Sequence, residues 1–84
     1  MEGFNWSEYI TFDPTILSGK PHLKGTRLAV AFVLELLAGG WDGESLRANY
    51  PRLTDDGVRA VLAFAADSFR EERFYATPTG AHAN

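Results

Sequence analysis

Residues able to do catalytic or metal chemistry are few in this sequence, and they do not cluster. The two histidines, His22 and His82, lie far apart in the chain, and neither has a carboxylate at a spacing typical of metal ligands. Both are therefore predicted to be surface histidines. The sequence has no cysteine, which excludes disulfides and thiolate chemistry.

Two short motifs are similar to functional sites but lack essential parts of them. Gly19-Lys20 is similar to the end of a phosphate-binding loop, yet the upstream glycine is missing and Pro21 follows where Ser or Thr is required. Asp55-Asp56 offers two carboxylates, but adjacent residues of a helix do not face each other. These aspartates suit the positive end of a helix dipole better. We therefore expect no enzyme activity, no metal site and no cofactor.

Charge is distributed unevenly along the chain, although its net value is only −3. From residue 14 to residue 34 the only charged side chains are Lys20, Lys24 and Arg27, whereas acids predominate from residue 35 to residue 58. A basic early segment could contact phosphates, and an acidic middle segment could contact a basic protein. The alternative is surface charge scattered without function.

The elements that could position these residues begin with a small β structure in the first third of the chain. Residues 9–12 are β-branched or aromatic and stop before Pro14, which predicts a strand. Residues 18–21 form a Ser-Gly-Lys-Pro turn signal. Residues 22–28 are expected to be extended, with a turn or bulge at Gly25. This β element carries the basic residues.

The clearest predicted helix runs over residues 29–38. Apolar side chains at positions 30, 33, 34 and 37 share one face, Phe32 and Leu36 occupy a second, and Glu35 is the only polar residue. A helix that is apolar almost all round must be covered on more than one side. In so short a chain this indicates a partner chain as well as an internal core. Two glycines at positions 39 and 40 end the helix.

Two further helices are predicted after this one. Asp42 is suited to cap a short helix that ends near Asn49. Thr54 is the candidate N-cap of a third helix that runs to about residue 72. The predicted inward face of the third helix consists of Val58, Val61, Leu62, Ala65 and Phe69.

The predicted fold is mostly α: a short N-terminal β element followed by a three-helix, winged helix-turn-helix-like bundle. We expect one domain, with the β element and a dimerisation arm over 1–28, the helical core over 29–73 and a flexible tail over 74–84. A three-helix core without a nucleic-acid role is the alternative. No apolar run approaches the ~20 residues needed to cross a bilayer, and the N-terminus lacks the pattern of a signal peptide. A cytoplasmic protein without a membrane partner is therefore expected.

A series of short motifs spans most of the chain, from Ile10 to about Phe64. The motifs are Asp13-Pro14, Gly19-Lys20-Pro21, Gly25-Thr26-Arg27, Tyr50-Pro51 and Leu53-Thr54. Their order and spacing resemble a bacterial family, domain of unknown function 433, which is grouped with helix-turn-helix proteins and includes antitoxins of the VapB type. His22 departs from the pattern, because the family usually has a small or apolar residue there.

The resemblance implies a transcription-linked antitoxin, commonly encoded beside a PIN-like ribonuclease toxin. It also implies a homodimer in which the N-terminal strands and the first helix contribute to the subunit contact. The expected function is therefore to bind promoter DNA and to neutralise the toxin. The alternative is a protein-interaction or dimerisation module with no DNA-binding role, which the acidic pair Asp55-Asp56 at the start of the third helix favours.

Candidate DNA contacts follow from placing the third helix as the reader of the major groove. They are the basic residues of the β element and of the helical region, with one helix cap: Lys20, Lys24, Arg27, Arg47, Arg52, Thr54 and Arg59. The acids at the start of the helix repel phosphates, so double-stranded DNA is expected to bind weakly to moderately, with strong salt dependence. For Arg27 we prefer a structural ion pair with Asp13 or Glu35.

Candidate contacts with a second copy or with the toxin are aromatic and apolar residues. They are Phe4, Trp6, Tyr9, Phe32, Leu36, Phe74 and Tyr75. Acidic residues near them could occupy the surface with which a ribonuclease binds RNA. The alternative is that the terminal aromatic residues cap the core of their own domain.

Overall fold

The computed structural model describes residues 4–71. The chain begins with a 3-10 turn, Trp6–Glu8, followed by two short antiparallel strands, β1 (Ile10–Thr11) and β2 (His22–Leu23). Ile10 pairs with Leu23, and Thr11 pairs with His22. The predicted β element is therefore present, although both strands are shorter than their sequence signals suggested.

The segment 22–28, predicted to be extended, reverses direction tightly after β2. Thr26 N donates to Leu23 O at 3.1 Å, and Leu23 N donates to Leu28 O at 3.0 Å. Gly25 permits this reversal with a φ of +76°, a left-handed conformation that costs a residue with a side chain about 1–2 kcal/mol. Because these turn bonds satisfy the backbone locally, the strand ends after two residues.

His22 is buried, which corrects the prediction of a surface histidine: only 1% of it is exposed. Its strand pairs with Thr11 on one side, and His22 itself forms an isolated antiparallel bridge with Ala29 on the other. The His22 Nδ1 atom lies 3.0 Å from the Lys20 carbonyl oxygen. A carbonyl oxygen only accepts, so this contact requires the proton on Nδ1. The enclosure of His22 depends on how the chain folds back on both sides of it, which the residue types next to His22 do not reveal.

Within residues 4–71, three α-helices follow: α1 (Val30–Ala38), α2 (Gly43–Asn49) and α3 (Asp55–Glu71). The short segment 50–54 joins α2 to α3, which is the order of a helix-turn-helix. The prediction of a mostly α fold with a short N-terminal β element and three helices is confirmed. Among residues 4–71, no helix is both long enough and apolar enough to cross a membrane.

Asp42 and Thr54 cap the N-termini of α2 and α3, as predicted. The Asp42 side chain accepts a hydrogen bond from Ser45 N at 2.9 Å at the start of α2. This bond holds the pKa of Asp42 below its usual range, because it stabilises the carboxylate form. Thr54 Oγ1 accepts from Gly57 N at 3.0 Å and satisfies one of the free amides at the start of α3.

The core connects the β element to all three helices. Its buried apolar residues come from both strands, every helix and the α2–α3 turn: Ile10, Leu23, Val30, Val33, Leu46, Leu53, Ala60 and Val61. The β element and all three helices therefore contribute to one cluster, as expected of a domain too small for a second core.

The buried face of α3 agrees with the predicted one only in part, with Val58 packed against the core as predicted. Val61 is fully buried as expected, but Leu62 is 50% exposed and Phe69 is 61% exposed. The helix instead turns small residues inward: a Cβ placed on Gly57 would lie 3.5 Å from the Cδ1 atoms of both Leu23 and Leu53. Gly57 thus allows α3 to approach Leu23 and Leu53 closely, while Leu62 and Phe69 stay largely exposed.

The N-terminal segment is attached to the far half of α3. The Trp6 ring packs edge-to-face on Phe64 with centroids 4.7 Å apart, and its indole N–H donates to Asp67 Oδ2 at 2.7 Å. This bond, followed by one from Arg70, lowers the pKa of Asp67. A hydrogen bond thus joins residues 61 positions apart.

Candidate functional site

An open groove of about 570 Å³ is present on the surface of the described residues. It lies between the reversal after β2 and the turn that joins α2 to α3. Its lining residues are Ile16, Gly25, Thr26, Arg27, Leu28, Asn49, Tyr50, Pro51 and Arg52. Two of the motifs noted in the sequence, Gly-Thr-Arg and Tyr-Pro, therefore meet here. We call this surface the motif groove.

The first wall of the motif groove is built by a hydrogen-bonded turn. Thr26 Oγ1 donates to Leu23 O at 2.8 Å and accepts from Leu28 N at 2.9 Å. The hydroxyl therefore ties both sides of the reversal together, while Gly25 supplies the positive φ. In the Gly-Thr-Arg motif, the first two residues shape the turn, and Arg27 is left exposed at the groove.

The second wall is the turn after α2. Leu53 N donates to Tyr50 O at 2.8 Å, and Leu53 itself is 1% exposed, so it anchors the turn in the core. The Tyr50 ring lies edge-on to Phe32 with centroids 5.6 Å apart, and it is tilted against Trp41 at 5.8 Å. These contacts hold the aromatic side of the groove against α1.

A third segment contributes Ile16 from the loop between the strands. Leu17, Ser18 and Gly19, which follow it, all have positive φ, with values of 53°, 56° and 81°. Two of these residues carry side chains, and each such residue in this region costs about 1–2 kcal/mol. Backbone bonds from Gly19 N to Ile16 O and from Lys20 N to Leu17 O, both 3.0 Å, hold this turn in place.

The charges around the motif groove are positive. Arg27 and Arg52 line it, both are exposed, and neither forms an ion pair within residues 4–71. Arg52 also lines a smaller neighbouring groove of about 290 Å³, together with Lys24 and Glu8. We call Lys24, Arg27 and Arg52 the cationic set. Three of the predicted DNA contacts thus lie around one junction.

The preferred ion pair of Arg27 with Asp13 or Glu35 is absent from the described part of the chain, so that interpretation was wrong. Asp13 instead accepts from Thr15 N at 2.9 Å and from Thr15 Oγ1 at 2.7 Å. These two bonds lower the pKa of Asp13 by stabilising its carboxylate. Asp13 was one of the acids expected to pair with Arg27, but it takes its hydrogen bonds from Thr15, which lies only two residues away in sequence.

Three other predicted DNA contacts have partners within the chain. Arg47 Nη1 lies 2.8 Å from Asp55 Oδ1, and the Arg59 guanidinium lies 4.2 Å from the centroid of the Phe4 ring. Thr54 uses its hydroxyl as the α3 cap. Lys20, the remaining candidate, is exposed and lines neither groove.

The predicted partner contacts are distributed over several surfaces. Phe4 stacks on Tyr9 with centroids 5.5 Å apart, and both rings, like Trp6, pack against the core. On α1, Leu36 is partly buried against the core, whereas Phe32 remains 37% exposed. Phe74 and Tyr75 lie outside the described residues.

Sequence reasoning did not identify the apolar lining of the motif groove as a site. Ile16, Leu28, Tyr50 and Pro51 are single apolar or aromatic residues in loops, without a periodic pattern. Two of them belonged to a recognised motif, but nothing local indicated that the Tyr-Pro and Gly-Thr-Arg motifs face each other across a groove.

The fold and this surface define a class of protein: a small, mostly helical domain with a two-stranded N-terminal sheet and an open groove between its β element and the α2–α3 turn. The chain belongs to the DUF433 family, described as proteins of unknown function, which matches residues 10–65. Both groove motifs lie within the matched range. Comparisons with curated proteins and with solved structures gave no match.

Proposed function

We propose that this chain is a protein-binding domain that acts in the cytoplasm as the antitoxin of a toxin–antitoxin pair. The observation that carries the binding function is the motif groove, whose apolar walls adjoin two arginines without ion pairs among residues 4–71. Such a surface suits apolar and acidic side chains of another protein. The resemblance noted above suggests a PIN-like ribonuclease toxin as that protein.

The charges at the start of α3 favour a protein over DNA as the main partner. Asp55 and Asp56 lie in the first turn of α3, the part of a reading helix that enters the major groove. Carboxylates there repel phosphates. Arg47 offsets the charge of Asp55 through their ion pair, so Asp56 carries most of this repulsion, and the Arg59 guanidinium lies over the Phe4 ring instead.

A homodimer is part of the proposal. Leu62 on α3 and Phe32 on α1 expose 50% and 37% of their surface, and a second copy could remove this apolar area from water. Light scattering on a size-exclusion column is expected to give twice the 9.3 kDa of one chain. A mass of one chain at micromolar concentration would contradict the dimer.

Co-expression with the product of the neighbouring gene tests the antitoxin role. The expected result is a stable complex with a PIN-like protein whose ribonuclease activity is suppressed. Arg47→Ala is the control for replacing an arginine of the motif groove. It removes an exposed arginine outside the groove and should leave the complex intact. If the chain does not bind the neighbouring gene product and the ribonuclease stays active, the antitoxin role is overturned.

Binding of promoter DNA is the second candidate function, favoured by the cationic set beside the α2–α3 turn. Each phosphate contact contributes about 0.9 to the slope of log affinity against log salt concentration. Arg52→Ala, which removes one cation from each subunit of a dimer, should therefore reduce the slope by about 2. Equal affinity for promoter and random duplexes, with or without the toxin, would refute this candidate.

A further inference from the structure

The motif groove has the size of a ligand site without the enclosure of a small-molecule pocket. Its volume of about 570 Å³ lies within the range of about 300–1,000 Å³ that is typical of ligand pockets. Small ligands, however, are usually buried over most of their surface, and this groove is open to solvent. Its shape therefore suits side chains of a segment whose backbone stays at the surface.

The walls of the groove select for an apolar side chain. Ile16 and Leu28 come from the N-terminal part of the chain, and Tyr50 and Pro51 come from the end of α2. A phosphate placed against the Ile16, Leu28 and Pro51 side chains would lose hydration without gaining hydrogen bonds. An aliphatic or aromatic side chain would instead bury apolar area on both partners.

The charges of the groove select for a carboxylate beside that side chain. Among residues 4–71, no Asp or Glu lines the motif groove, whereas Arg27 and Arg52 do. Each guanidinium can hold a carboxylate through two parallel hydrogen bonds. Neither arginine forms an ion pair within residues 4–71, so binding a carboxylate breaks no described ion pair.

We propose that the motif groove binds a segment of a partner protein in which an aliphatic or aromatic residue is flanked by Asp or Glu. Arg27 and Arg52 bind the carboxylates, and the Ile16, Leu28 and Tyr50 side chains contact the apolar residue. This inference rests on the proposed protein-binding function and specifies the chemistry of the ligand at the same site.

Selection from a random twelve-residue peptide library displayed on phage, with the full chain immobilised, tests this proposal without knowledge of the partner. The expected result is enrichment of peptides that carry Phe, Leu, Trp or Tyr within two positions of Asp or Glu. Enrichment of basic peptides, or no enrichment over empty beads, would overturn it.

Variants then show whether the selected peptide occupies the groove. Arg27→Ala and Arg52→Ala should each weaken binding of the fluorescein-labelled peptide by roughly 10-fold, since each removes a charge-assisted pair. Ile16→Ser should weaken binding of the peptide without changing how that binding depends on salt concentration. Arg47→Ala should leave binding of the peptide unchanged. The two groove arginines are exposed, so their variants should unfold within about 4 °C of the wild type. If the three groove variants bind the peptide as tightly as the wild type does, the peptide does not occupy the groove.

Two further results separate this inference from the functions on which it rests. If the neighbouring gene product binds the Arg27→Ala and Arg52→Ala variants as tightly as the wild type, the groove assignment is wrong while the antitoxin role stands. If peptides with an apolar residue beside Asp or Glu bind in the groove but the gene product does not bind, the groove assignment stands and the antitoxin role is wrong. Competition by a random DNA duplex at physiological salt would identify the groove as a phosphate site and overturn the peptide ligand.

Discussion

Leu46→Ala and Leu62→Ala are the same substitution in two helices, so together they isolate the effect of burial. Both remove the same three carbon atoms, and both replace a helical leucine by alanine, so the change in helix propensity is the same. Leu46 in α2 is 1% exposed, whereas Leu62 in α3 is 50% exposed. The difference in unfolding free energy between the two variants therefore measures how deeply each side chain is buried.

The expected magnitudes follow from the lost area and the cavity. Removing three buried carbons costs about 2.4 kcal/mol, and the remaining cavity raises the loss for Leu46→Ala to about 3–4 kcal/mol. At Leu62 half of the side chain is already hydrated and water fills the vacated space, so the loss is about 1 kcal/mol. In a domain of this size each kcal/mol shifts Tm by about 4–8 °C, which predicts midpoints about 10–20 °C apart.

Thermal unfolding followed by circular dichroism, with urea unfolding as a second measure, checks both values. Equal losses at every protein concentration would refute the assignment of the buried face of α3. A loss at Leu62 that depends on protein concentration would have a different meaning. It would place a second copy on this face, because the stability of a dimer depends on the concentration of its subunits.

Three further changes test individual contacts. Thr54→Ala should destabilise the domain by about 1 kcal/mol in urea unfolding because it removes the cap of α3, and Thr54→Ser should not; equal losses would contradict the capping role. Trp6→Phe replaces the indole by a smaller aromatic ring and removes the N–H that donates to Asp67, whose pKa is lowered in the folded state. Its destabilisation should be complete above the ordinary pKa of 3.8 and should shrink as the pH falls through the lowered pKa, so a loss that is constant with pH would refute the contact. Arg47→Ala breaks an exposed pair with Asp55 and should cost less than about 1 kcal/mol, and a larger cost would show that this pair is coupled to other contacts.

The pH dependence of Trp6→Phe shows how local and long-range contacts can be told apart. Asp42 and Asp13 also have lowered pKa values, but their donors, Ser45 and Thr15, lie two or three residues away. Such bonds can persist in part after unfolding. The Trp6–Asp67 bond joins distant parts of the chain, so it is expected to be lost whenever the domain unfolds.

Local features of the fold were predictable because they depend on neighbouring residues. The aspartate and threonine before α2 and α3 cap those helices through bonds to amides three residues ahead, and side chains of this type in these positions indicate a helix start. The reversal at Gly25 was likewise visible as a glycine in an otherwise extended stretch. The family was also recognisable, since its motifs are short and their spacing is kept from residue 10 to residue 65.

The sequence by itself determined the mostly α class, the positions of the three described helices and the side-chain caps of α2 and α3. Only the tertiary structure decided that His22 is buried, that α3 turns Gly57 rather than Leu62 toward the core, and that two motifs far apart in sequence line one groove. Helix starts and turns are set by contacts over a few residues. Burial, helix rotation and the meeting of two loops depend on which distant segments approach each other, and the size of a side chain does not by itself predict that approach.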